Sequence, residues 1–173
     1  MNFAIAEAIH AIPQLKNIDN VEFTTGIKQA AEAAFYESMV FAHVLNSAKE
    51  NDEIFKYREK YRDLSAPEVD IVLINRETNM VHLIEIISKL TLSENAFQNE
   101  ARHLFDSEIL KNIGIDDSFK ITRVLIFNGE SGCKIEQGQT LLCINITDYL
   151  EHYSNIDEYF NELSTHAEKP RMK

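Results

Sequence analysis

The sequence predicts an α/β domain, a mixed central β-sheet flanked by α-helices, and three observations carry that prediction. Two apolar, β-branched runs, Val69 to Asn75 and Met80 to Ile87, flank Arg76-Glu77-Thr78-Asn79, which has the composition of a turn, so the stretch reads as a β-hairpin. A long run with apolar residues at helical spacing precedes it, from about Gly26 to Ala48. The order of elements then reads helix, strand, hairpin, helix, strand, strand, helix, which packs as two or three layers.

Composition sets the outer bounds. The 173 residues are 45% hydrophobic and 26% charged, values of one globular domain spanning 1–173 and large enough to bury a sizeable core. No apolar run approaches the roughly 20 residues of a membrane span, and MNFAIAEAIHAIPQLK lacks the basic start and apolar centre of a signal peptide. A cytoplasmic protein with no membrane partner is expected. Cys133 and Cys143 cannot make a disulfide framework and read as small buried residues. The 17 basic and 28 acidic residues leave a net charge of −11, which opposes non-specific nucleic-acid binding unless basic residues gather on one side or a partner delivers the substrate.

Along the chain, Asn2 to His10 reads as a short helix ending near Pro13. The helix from about Gly26 has Thr24 and Thr25 as candidate caps and an apolar face of Ala30, Ala33, Ala34, Val40, Phe41 and Val44; Glu37 falls in the same stripe. Glu53 to Arg62 alternates as a strand, with Phe55, Tyr57 and Tyr61 inward and Lys56, Arg58, Lys60 and Arg62 outward. That basic row suits either a phosphate-tracking surface or an edge strand protected against aggregation. After the hairpin, Thr91 to Lys111 reads as a helix capped by Ser93, with Gly114 marking its exit. Strands follow over Lys120 to Asn128 and Thr140 to Ile146, with Gly129-Glu130-Ser131-Gly132 as a loop. Thr147 is the expected cap of a last helix, Asp148 to Leu163, and the tail after it is expected to be mobile.

Two residues interrupt the apolar hairpin: Asp70 and Glu85. A carboxylate among Val, Leu and Ile loses several kcal/mol of hydration unless a partner or a metal compensates. On adjacent antiparallel strand ends, the two would offer oxygen ligands to a hard divalent cation such as Mg²⁺ or Mn²⁺. Glu85, Ile87 and Lys89 share one strand face by period-two alternation, and an ammonium there would orient or activate a water, the chemistry of metal-assisted phosphodiester hydrolysis. His82, three residues before Glu85, faces the other side as a packed or edge residue.

These residues resemble the PD-(D/E)XK nuclease superfamily, whose core hairpin has an Asp on one strand and an acidic-x-Lys motif on the next. Pro67-Glu68-Val69-Asp70 and Glu85-Ile86-Ile87-Ser88 are most similar to the nuclease-like C-terminal domain of a group of prokaryotic AAA-type ATPases. The likeness runs from about Gly26 to Tyr153 and implies a restriction-endonuclease-like core. It departs at Ile87, which stands where the family has Lys; Lys89 lies two residues on and faces the same way. The resemblance also implies that Glu37 assists the metal site, and that Gln98, with Arg102 one turn on, contacts the substrate. No glycine-rich phosphate loop is present, so the ATPase module is absent from this sequence.

Two function classes follow. In the first, the protein is a metal-dependent nuclease with Glu37, Asp70, Glu85, Lys89 and Gln98 as its catalytic set, Asp70 and Glu85 as metal ligands, and nucleic acid along Lys56, Arg58, Lys60, Arg62 and Arg102. In the second, it is a catalytically degenerate relative that keeps the fold as a binding module for nucleic acid or a protein partner. Neither a zinc signature nor a serine or cysteine hydrolase motif occurs.

Overall fold

The structure is a computed structural model that describes residues 21–58, 67–87, 98–99, 101–152 and 155–165. Helix α1 (Val21–Ser47) leads into β1 (Asp52–Arg58), and the hairpin follows as β2 (Glu68–Asn75) and β3 (Met80–Ile86). A 3₁₀ turn (Arg102–Phe105) and α2 (Ser107–Asn112) connect to β4 (Lys120–Phe127). Then come β5 (Gly132–Glu136), β6 (Gln139–Asn145), α3 (Ile146–Glu151) and α4 (Ile156–Thr165). The six strands make one mixed sheet in the order β1-β2-β3-β4-β6-β5. β1, β2 and β3 form an antiparallel meander, β4 and β6 run parallel to β3, and β5 returns antiparallel at the far edge.

Period-two alternation divides the core into two layers. Val72, Ile74, Leu83, Ile87 and Leu125 pack with Ala101, Leu104 and Ile109 on the α2 face. Ile71, Ile84, Ile86, Val124 and Ile144 pack with Val40 and Val44 of α1, Tyr149 of α3 and Phe160 of α4. The central strands are buried on both faces, which is why they read as continuous apolar runs. The arrangement is therefore three layers, helix–sheet–helix.

Several sequence expectations change. α1 begins at Val21, so Thr24 and Thr25 lie inside it rather than capping it, and Ala34 is exposed. The helix expected over Thr91 to Lys111 is broken at Asp106, whose extended backbone lets its carboxylate accept the Glu108 amide at 2.9 Å and start α2 afresh. The last helix is likewise two helices. Asn145, not Thr147, caps the first by accepting the Thr147 amide at 2.8 Å. β5 lies in a stretch given no strand by the sequence reading; Gln137 and Gly138, both at positive φ, make the tight turn into β6. Asn2 to His10, Tyr61, Ser93, Tyr153 and the tail lie outside the described residues.

Candidate acid–lysine site

The candidate site begins with a fault in strand pairing. Phe55 of β1 faces Val72 of β2, but Tyr57 faces Val69, so Lys56 is opposed by two residues, Asp70 and Ile71. This β-bulge resets the alternation. Val69 packs on the α2 face, so Asp70 turns with Ile71 toward α1, where unbroken alternation would have sent it to the α2 face. Lys56 lies between inward-facing Phe55 and Tyr57, on the same α1 side.

The result is an acid cluster around one ammonium. Lys56 Nζ lies 2.6 Å from Glu68 Oε1, 3.0 Å from Asp70 Oδ1 and 3.7 Å from Glu37 Oε2. Asp70 is the buried member, 9% exposed, whereas Lys56 and Glu37 are 44% and 42% exposed. The second oxygen of Asp70 accepts the Ile86 amide of β3 at 2.9 Å. Glu85 Oε2 lies 3.4 Å from the Asp70 amide nitrogen, and Arg58 reaches Glu68 at 3.5 Å. Asp70 thus ties β1 to β3 across its own strand.

Electrostatics distinguish the members. Burial opposes the charged form of Lys56, but hydrogen bonds to Glu68 and Asp70 outweigh it and push its pKa above the ordinary lysine range. The Glu37 carboxyl is pushed up, first by burial and then by the negative charges of Asp70 and Glu68, against the opposing pull of Lys56. Four carboxylates (Glu37, Glu68, Asp70, Glu85) meet two cations (Lys56, Arg58), so the sheet end carries an excess of negative charge.

The sequence-predicted residues are only partly brought together. Glu37 and Asp70 both face Lys56, at 3.7 and 3.0 Å from its Nζ. Asp70 and Glu85 are cross-strand neighbours, one step beyond the Ile71–Ile84 pair, but Glu85 alternates with Leu83 and Ile87 onto the α2 face and meets Asp70 through the backbone. Ile87 is buried in that same face. Lys56 and Arg58, read as an open basic row, are ion-paired to the acids. Gln98 and Arg102 are exposed on the segment that packs against the α2 face, and no contact joins them to the cluster. Lys60, Arg62 and Lys89 lie outside the described residues. The sequence reading missed Glu68 and the acid-paired role of Lys56. Glu68-Val69-Asp70 lay within the quoted motif; only the bulge reveals that Glu68 and Asp70 share a face with Lys56.

Among the described residues, no group of three or more His, Cys, Asp or Glu side chains is already arranged to ligate one ion. No described helix is long and apolar enough to cross a membrane.

The chain matches no family model, and no curated protein matches it. Among solved structures, it is similar to a chain of the Thermococcus gammatolerans assembly of McrB AAA+ hexamers with bound McrC. The TM-score is 0.42 at 10% identity, and the match covers 77% of this chain and 32% of that one.

Proposed function

We propose that the protein is a metal-dependent nuclease of the PD-(D/E)XK type, with a restriction-endonuclease-like core and a lysine supplied by β1 rather than β3. The observation that carries this reading is Lys56 Nζ at 3.0 Å from Asp70 Oδ1, across the bulge. It supports the family's pairing of an Asp with an ammonium although Ile87 fills the usual lysine position. The donor set suits a hard cation: the carboxylates are oxygen ligands, and they outnumber the cations that face them. Asp70 would hold Mg²⁺ or Mn²⁺ with Glu37 and Glu68 on its own face, while Glu85, expected from the sequence as its co-ligand, sits on the α2 face and meets Asp70 through the backbone. A divalent cation bound there lowers the pKa of its water and offsets phosphoryl charge.

The residues themselves divide the remaining work. Lys56, held protonated by its acidic neighbours, serves as a fixed positive charge beside the phosphate rather than as a base. Glu37, with its raised pKa and partial exposure, is the group suited to exchange a proton with water. Of the two cations in the cluster, Arg58 is the more exposed, at 68% against 44% for Lys56, and is the one placed to meet the substrate backbone.

The test is cleavage of plasmid and single-stranded DNA and of RNA by the purified protein in Mn²⁺ and Mg²⁺. Cleavage lost in Asp70→Asn supports the reading. Comparing Glu85→Gln with Glu68→Gln tells which carboxylate completes the ligand set. A second reading is favoured by the same ion pairs: Lys56 already neutralises Asp70, as it would in a degenerate domain kept for binding. Absence of cleavage in either metal, with no metal-dependent rise in melting temperature, overturns the nuclease and leaves that module.

A further inference from the structure

At the opposite end of the sheet from the acid–lysine cluster, the C-terminus of α1, the β2–β3 turn and the start of α4 enclose a cavity of about 360 Å³. That volume is in the range of small-molecule sites. Leu73, Ile84 and Phe160 give it an apolar wall, and Asp52, Asp157 and Glu158 line it against a single cation, Lys49. α1 ends here with no basic residue in its last turn, so the partial negative charge of its carbonyl end adds to the acids.

His82 is the second observation and points to a ligand. It lines the cavity, is only 6% exposed, and its Nε2 has no hydrogen-bond partner among the described residues. Its ring packs on Phe160, and Asp157 Oδ1 stands 3.7 Å from Nε2, too far for a hydrogen bond. Buried polar atoms are nearly always satisfied, by protein groups or by ordered water, so an orphan beside a cavity marks a place for a polar partner. Burial holds the imidazole toward its neutral form, helped by Lys120 and opposed by Asp157 and Asp52. A neutral ring can offer the Nε2 lone pair.

We propose that this cavity binds a small organic cation, a primary ammonium on a compact apolar body, whose N–H groups are shared between His82 Nε2 and the Asp157 carboxylate. Two acceptors 3.7 Å apart can both lie about 2.9 Å from one nitrogen. The apolar body lies against Leu73, Ile84 and Phe160. Asp157, more than half exposed on the first turn of α4, can turn outward to admit the ligand. The site is independent of the nuclease reading and stands on different residues.

Calorimetric titration of the full chain with phenethylamine and with its neutral isostere 2-phenylethanol tests the proposal. The amine is expected to bind at least about tenfold more tightly than the alcohol, and Asp157→Asn to remove most of that difference. His82→Phe should weaken the amine as well; if that variant does not fold, Asp157→Asn, a change at an exposed side chain, carries the test alone. Asp70→Asn should leave amine binding unchanged, which separates this site from the acid–lysine cluster. Equal binding of amine and alcohol, no binding of either, or amine affinity untouched by Asp157→Asn overturns it.

Discussion

At the scale of single residues, the site depends on how Lys56 and Glu37 share charge. Lys56 has a folded pKa above its ordinary value, so the stability it lends is fully present below that ordinary value and is lost only as pH climbs through the raised one. The difference in melting temperature between the native protein and Lys56→Met should therefore be flat from about pH 6 to about pH 9. Glu37 follows the same sign of dependence in a lower pH range. Its folded pKa is raised above 4.5, so its favourable contribution is complete below that value and is lost as pH rises through the shifted one. Glu37→Gln is thus expected to melt higher than the native protein at neutral pH, with the advantage shrinking on acidification toward about pH 4. A variant that melts lower at neutral pH would show that the 3.7 Å contact with Lys56 outweighs burial together with the repulsion from Asp70 and Glu68.

At the scale of elements, the β-bulge and a buried arginine hold the two faces of the sheet in place. Arg123 on β4 is 7% exposed; its Nε donates to the Leu104 carbonyl at 2.8 Å, and its guanidinium lies over the Phe105 ring. It fastens the 3₁₀ turn to the α2 face. Arg123→Met keeps much of the apolar stem but leaves that carbonyl without its donor, so a loss of about 1–3 kcal/mol is expected in denaturant unfolding. A change under about 0.5 kcal/mol would place the fastening elsewhere, as ordinary surface substitutions do. The hairpin was legible because β-branched runs and a polar turn are local signals, and the packing of Phe55, Tyr57 and His82 followed from alternation alone. The facing of Asp70 was not legible. A bulge arises from pairing between β1 and β2, and one extra residue reverses every expectation built on period two. The helix breaks at Asp106 and after Glu151 were hidden for a related reason: the apolar spacing of Leu104, Ile109, Tyr149 and Phe160 continues through them, while a side-chain cap or a turn decides where the backbone stops. The short β5 lacked apolar weight; Ile135 is half exposed at the sheet edge.

At the scale of the whole molecule, a net charge of −11 must be reconciled with a polyanionic substrate. Two acid-paired cations at the sheet end, Lys56 and Arg58, do not form a strong electrostatic funnel, so cleavage should need a divalent cation to offset the acids and should depend only weakly on monovalent salt. The two ends of the sheet carry different chemistry: carboxylates around a lysine where β2 begins, and an acidic, half-apolar cavity where it ends. The most direct measurement of the central claim is the initial rate of plasmid cleavage in Mn²⁺ for Lys56→Ala beside Lys89→Ala and the native protein. If β1 supplies the working ammonium, Lys56→Ala should lose about 10²–10³-fold in rate, the scale of removing one preorganised charge, while Lys89→Ala stays near the native rate. A native rate in Lys56→Ala, or its loss in Lys89→Ala alone, would contradict the claim.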